Sequence, residues 1–202
     1  GVVDSSNRLN NTNTTALNLK AFVDSVKANG GYYIARYEAS YGTDGKANSK
    51  ISTGTPATSS STTKTEGKLW NYITQINAAT ASRNLYTGVN SDLINSYAWD
   101  TAIVYIQNFS GDTDYSKQNS LNKSLANTGV NSDEKCKIND MASNTWEWTT
   151  EYCTNTNSSV AYPCTGRGGG YNDSSYYTDS KYNYGRATSN YNIISFRCAL
   201  YM

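Results

Sequence analysis

The chain has 202 residues, a formal charge of +1 and 16% charged residues, a length that suits one domain, or one domain with a large insertion, and a core without metals or disulfides. With its basic residues scattered, that charge gives no field to draw nucleic acid or an anionic membrane surface. No apolar run approaches the roughly 18–20 residues that span a bilayer, so membrane insertion is not expected either.

Residues 1–15, "GVVDSSNRLNNTNTT", read as a polar lead-in without the basic head and apolar stretch of a signal peptide. From 16 to 29, Leu19, Phe22, Val23 and Val26 recur at helical spacing, and Gly30 and Gly31 stop the helix. "YYIARYEAS" (32–40) reads as one strand by β-propensity and alternation. Residues 43–67 are Ser/Thr/Gly-rich and predict a loop. A second helix is expected from about Ile73 to Leu85 over an Ala-rich face. A third covers 96–109, with Ala98, Ala102, Ile103 and Ile106 on one side. After Cys136 the pattern turns to short strands and loops, closing on "IISFRCALY", which reads as a core strand. Helices followed by short strands predict an α+β domain over 16–202.

The chain has no His. That excludes Ser-His-Asp and Cys-His catalysis and every His-ligated metal site, leaving carboxylate, thiol and tyrosine chemistry. No nucleophile stands beside an activating partner, so an enzyme is not expected and no cofactor is implied. The cysteines Cys136, Cys153, Cys164 and Cys198 form no C-x-x-C pair. Cys153 and Cys164 are close enough in sequence to close a short loop, and free buried thiols are an equal alternative.

The most specific stretch is "KINDMASNTWEWTTEY" (137–152). On a strand, Trp146 and Trp148 share one face and Glu147 takes the other. The residues alone predict two core indoles and a carboxylate paired with a backbone or basic partner. With "GRGGGY", "SFRCAL", "YYIARYEAS" and "SYAWDTAIVYIQNF", in family order, this stretch resembles the formylglycine-generating enzyme (sulfatase-modifying factor) family. The resemblance runs from about residue 30 to the end. It implies a C-type-lectin-like fold of that subtype, loop-rich, with two or three helices and small antiparallel sheets. Trp146, Trp148, Phe196 and Cys198 would lie in its core.

The departures bear on function. Formylglycine-generating enzymes bind copper with two cysteines just after R-G-G, and no cysteine stands between Tyr171 and Asn192. Cys198 matches the family's F-R-C-A cysteine, which belongs to the closing strand. Another branch builds an iron site from three histidines, all absent here. Ser143 stands where the family has Gly before Asn144. Asn144 and Glu147 could lend oxygens to the calcium some members hold nearby, but two ligands are too few, and no metal is assigned.

Between Tyr171 and Asn192, 18 of 22 residues are Asn, Asp, Ser, Thr or Tyr, with no Leu, Ile, Val, Met, Phe or Trp. Tyr gives large, rigid contact area with a polar tip, and Ser, Gly and Asn give adaptable hydrogen bonds, as in antibody loops. Such a segment can be polar because it is displayed, and it can precede a core strand because that strand anchors it. The placement resembles the variable proteins of diversity-generating retroelements, phage and prophage proteins among them, many built on this scaffold. There, adenine mutagenesis of AAY codons turns Asn into Tyr, Asp, Ser, Thr, Ile or His. The resemblance implies a hypervariable-type segment at about 171–195. The ligand-binding residues expected are Tyr171, Asn172, Asp173, Tyr176, Tyr177, Asp179, Tyr182, Asn183, Tyr184, Asn190, Tyr191 and Asn192. It implies a protein or carbohydrate ligand on a cell surface and a place on a phage virion (tail) or a bacterial surface. The number of copies in the assembly, a homo-oligomer included, is left open. The alternatives are a family enzyme with an unrecognised active site, or an ordinary carbohydrate-binding tail domain.

Overall fold

A computed structural model describes residues 19–62, 64–116, 124–130, 133–152, 164–173, 183–185 and 189–202, with the backbone alone for Tyr152 and 183–185. The lead-in 1–15 lies outside them, as does Cys153. The first helix among the described residues, α1 (Leu19–Asn29), buries Phe22 and Ser25. It stops at Gly30, whose φ of 76° is left-handed and whose N–H caps Val26 O at 2.9 Å. Helix α2 (Gln75–Arg83) starts from Thr74, whose hydroxyl accepts from the Asn77 N–H, and buries Ala78, Ala79 and Ser82. Helix α3 (Ser96–Phe109) starts from Asn95 in the same way and buries Ala98, Trp99, Ala102, Ile103 and Ile106. The helical periodicity of the sequence is therefore borne out in all three.

The strands are shorter and more divided than the sequence implies. "YYIARYEAS" is two strands, β1 (Tyr33–Ile34) and β2 (Ser40–Tyr41), with bends between. The bends turn Glu38 inward, where it is fully buried. Ala35 N–H and Ala39 N–H still reach Cys198 O and Phe196 O, at 2.9 and 2.8 Å. Strand β3 (Ala47–Asn48) pairs with β2, inside the expected loop of 43–67. Next come β4 (Asn90–Leu93), the ribbon β5 (Glu134–Lys135) and β6 (Ile138–Asn139), β7 (Trp146–Tyr152), β8 (Cys164–Arg167) and β9 (Asn183–Gly185). The closing apolar run is also split, into β10 (Ile194–Phe196) and β11 (Cys198–Tyr201). One sheet runs β1-β11-β4 and the other β10-β7-β8-β9. Arg197 is the joint where the chain leaves one sheet for the other. The β10–β7 pairing is parallel, aligning Phe196 with Trp148, where only antiparallel sheets were expected.

Two apolar clusters result. One gathers Trp70, Trp146, Trp148 and Phe196 between the sheets and α2; the other gathers Phe22, Trp99, Ile106, Met141 and Tyr201 under α1 and α3. Trp146, Trp148, Phe196 and Cys198 are all buried, as expected.

A third interior region is polar. Glu38, Asp140, Glu147 and Arg197 are each 0% exposed. Glu147 Oε1 accepts from Arg197 Nε at 2.9 Å and Nη2 at 2.6 Å, which supplies the basic partner the sequence called for. Arg197 also donates to Ala35 O and Asn139 O, at 2.8 and 2.7 Å. Glu38 accepts from Asn144 Nδ2 at 2.6 Å and from the Thr145 backbone and hydroxyl. Asp140, at a φ of 55°, accepts from Gly129 N at 2.7 Å and Thr128 Oγ1 at 3.0 Å through Oδ2. Its other oxygen has no hydrogen-bond partner among the described residues. Ser143 donates to Asp133 at 2.6 Å, which gives a use to the side chain standing where the family has Gly.

One arginine does not neutralise this many buried carboxylates. Burial and then the charges of Asp140 and Glu147 hold Glu38 well above the usual carboxylate range. Burial likewise raises Asp133 and Glu147. Asp140 is pushed up to about 6 by burial, with Asp133 adding to it and the Gly129 and Thr128 hydrogen bonds and Arg197 opposing. An acid whose pKa is higher folded than unfolded stabilises the fold fully below its unfolded value, and that contribution is lost as pH rises through the folded value. Melting temperature should therefore rise as the solution is taken from about pH 7 to about pH 5. Asp140→Asn keeps a carbonyl for both donors and tolerates the left-handed backbone. It should add on the order of 1–3 kcal/mol at neutral pH and flatten the profile. A parent that melts lower at about pH 5 than at about pH 7 would contradict this.

Candidate functional site

The polar segment begins where "GRGGG" passes over Trp146. Gly168 has a φ of 96°, and a Cβ there would sit 2.9 Å from Met141 O. A Cβ on Gly170 would meet the Trp146 indole at 2.8 Å. Glycine is thus required where the backbone lies on the core tryptophan. Arg167, buried, pairs with Glu151 at 3.2 Å and lies over the Trp99 ring. The chain then turns. Asp173 accepts from Gly170 N at 2.7 Å and from Trp146 Nε1 at 3.3 Å, and Tyr171 N donates to Asn144 O at 2.8 Å.

The far end of the segment is fixed on the same side of the framework. Trp146 N donates to Ile193 O at 2.7 Å, and Tyr72 N to Tyr191 O at 3.0 Å. Asn71, fully buried, donates to both Ala57 O and Asn192 O at 3.1 Å. Tyr72 adopts a φ of 49° to make its contact, and its hydroxyl reaches Thr58 O. The two ends meet directly: Asn192 Nδ2 donates to the Tyr171 hydroxyl at 2.8 Å, across 21 positions.

Of the residues expected to bind, Asn172, Asn190 and Tyr191 are exposed, Tyr191 at 54%. Tyr171 and Asn192 are half-buried and bonded to each other. Asp173 is half-buried with both carboxylate oxygens engaged by the framework, which makes it a staple of the turn. Asn183 and Tyr184 lie on β9, paired along β8 opposite Gly166 and Thr165. The segment is therefore not a loop throughout, in keeping with the β-propensity of Tyr. Tyr176, Tyr177, Asp179 and Tyr182 lie outside the described residues. The sequence reading missed Asn71 and Tyr72, which hold the segment's end, Asn71 bonding Asn192 across 121 positions. Their only local signal is a polar pair after the buried Leu69 and Trp70.

Cys164 and Cys198 do not suit the family's copper chemistry. Cys136, Cys164 and Cys198 are free thiols, so Cys164 is not tied into a short disulfide loop. Cys164 and Cys198 sit in different sheets, and burial raises their thiols to about 12 and about 11. Thiols so protonated are poor ligands and poor nucleophiles. Asn144 Oδ1 accepts from Ala126 N at 3.0 Å and Glu147 Oε1 is held by Arg197, while Glu147 Oε2 has no hydrogen-bond partner among the described residues. Among the described residues no group of three or more acidic or Cys side chains is placed to hold a metal ion, and no helix is long and apolar enough to cross a membrane.

Among the described residues, three α-helices and short, mostly antiparallel sheets form an α+β, C-type-lectin-like domain. The sulfatase-modifying factor enzyme 1-like domain family matches residues 58–202, well over half of the chain, and the chain belongs to that family. Among solved structures it is similar to the P3c and M1 variants of the major tropism determinant. Identities are 16% and 15% and TM-scores 0.48 and 0.49, over 83% and 84% of this chain and 50% of theirs. It is also similar to CarF, at 14% identity and a TM-score of 0.42, over 56% of this chain and 48% of that one. The chain thus spans about half the length of the solved structures it matches. No curated protein matches it in sequence.

Proposed function

We propose that the protein is a ligand-binding display domain without enzymatic activity, whose segment 171–195 is the recognition surface diversified by a retroelement. The observation that carries this reading is the contrast between the segment's ends and its side chains. Tyr171, Asp173, Tyr191 and Asn192 are tied to the buried framework, while Asn172, Asn190 and the Tyr191 ring face solvent. A rigid frame under an exposed Tyr/Asn surface is what lets sequence change there without unfolding the domain. Family membership supplies the scaffold, while chemistry resides in particular residues, and the copper-binding pair is not among them. The ligand is a protein or carbohydrate on a cell surface, met from a phage virion (tail) or from a bacterial surface. Several copies together would raise weak single-site binding by about 10²–10⁴.

The neighbouring DNA tests this reading. A reverse transcriptase gene is expected beside a near-copy of the segment encoding 171–195, with adenines at the AAY positions. A neighbourhood with neither would overturn diversification and leave an ordinary carbohydrate-binding tail domain.

A further inference from the structure

A second concave site shares no residue with the segment 171–195 or with its frame. It is a cleft of about 270 Å³ in the layer over the β1-β11-β4 sheet, between the end of α2 and the β2–β3 ribbon. Its floor is apolar, made by Ala35, Leu85, Cys198 and Leu200. Tyr33 and Tyr86 line it and are 66% and 53% exposed. Neither phenol has a ring contact or hydrogen bond among the described residues. Two solvated aromatic rings on a concave apolar floor are costly to leave open, and such arrangements mark ligand sites.

The polar part of the lining is as specific. Asn48 and Ser49 join the lining, the Ser49 hydroxyl accepting from Tyr37 N at 3.3 Å and keeping its own proton to donate, and Arg36 and Lys50 bring positive charge. Arg36 is engaged, pairing with Glu134 at 2.9 Å and lying over the Tyr37 ring. Lys50 is exposed and has no ion-pair partner among the described residues. Among the described residues no acidic side chain lines the cleft. Its occupant should therefore present apolar faces to the tyrosines, hydroxyls to Asn48 and Ser49, and one negative charge to Lys50. The volume lies just below that of drug-sized ligand pockets, which run from about 300 Å³ upwards, and suits a single ring.

The geometry points to a binding site for one acidic sugar residue, a hexuronic acid, separate from the recognition surface. Pyranose C–H faces stack on tyrosine, and the carboxylate meets the lysine. This holds whether or not segment 171–195 is diversified.

The test is a titration of the intact chain with galacturonic acid, galactose and acetate, followed by backbone amide shifts in NMR. Galacturonic acid should bind with a dissociation constant on the order of 1 mM, typical of so small a ligand. It should move the amides of Ala35, Ser49 and Tyr86, while galactose binds at least about fivefold more weakly and acetate leaves them unmoved. Tyr86→Ala should weaken binding about tenfold, and Lys50→Ala should abolish the preference for the acid over galactose. Tyr191→Ala should leave both unchanged. Equal binding of galacturonic acid and galactose, shifts confined to other parts of the chain, or no shift at about 50 mM would each overturn the proposal. The parent titration decides the matter even if a variant folds poorly.

Discussion

Arg197→Ala should destabilise the domain by about 3–5 kcal/mol, a large share of the roughly 5–15 kcal/mol that holds a typical domain folded. The side chain is fully buried and bridges three elements: Glu147 on β7, Ala35 beside β1, and Asn139 on β6. Its removal leaves a buried carboxylate without its cation and two carbonyls without donors. Burial acts against the charge on Arg197, yet Glu147, Glu38 and Asp140 hold its pKa above the usual value, so the guanidinium stays charged. Arg197→Lys keeps the charge but cannot reach three separate acceptors with one ammonium. It should recover less than half of the loss in chemical denaturation. Full recovery with lysine would show that charge alone matters at this joint.

Trp148→Ala should cost a similar amount, roughly 3–5 kcal/mol. The indole is 1% exposed, sits in register with Phe196 on β10 and Gly166 on β8, and donates to Ile73 O at 2.8 Å. Alanine would open a cavity between the sheet and the start of α2 and leave the Ile73 carbonyl without its donor. Trp148→Phe refills much of the space and loses the hydrogen bond, so about 1–2 kcal/mol is expected. Thermal and urea melts of both variants check the order. A Trp148→Ala protein that melts with the parent would remove this residue from the core.

Much of this was written plainly in the chain. Trp146, Glu147 and Trp148 alternate, and alternation on a strand has one geometric meaning. Ala98, Ala102, Ile103 and Ile106 mark the buried face of α3 in the same direct way. What local pattern could not give were the interruptions. "IISFRCALY" reads as one strand because Arg197 looks like a single outward residue, whereas it points into the interior and ends one sheet. "YYIARYEAS" breaks because Glu38 turns inward to bond Asn144 and Thr145, more than 100 positions away. Asp173 reads as a ligand contact by composition, and only the fold brings it under the Trp146 indole. In each case the deciding partner is distant in sequence, where periodicity carries no information.

The central claim is that the Tyr/Asn-rich segment is displayed on a framework that does not depend on it. The most direct test is the melting temperature of a Tyr176→Ala/Tyr182→Ala/Tyr191→Ala triple variant beside the parent. Exposed side chains usually contribute within about 0.5 kcal/mol each, so a displayed segment should leave the midpoint within about 6 °C of the parent. Three core rings would instead remove roughly 3–5 kcal/mol apiece. A triple variant unfolded at 25 °C, or melting tens of degrees below the parent, would contradict the account.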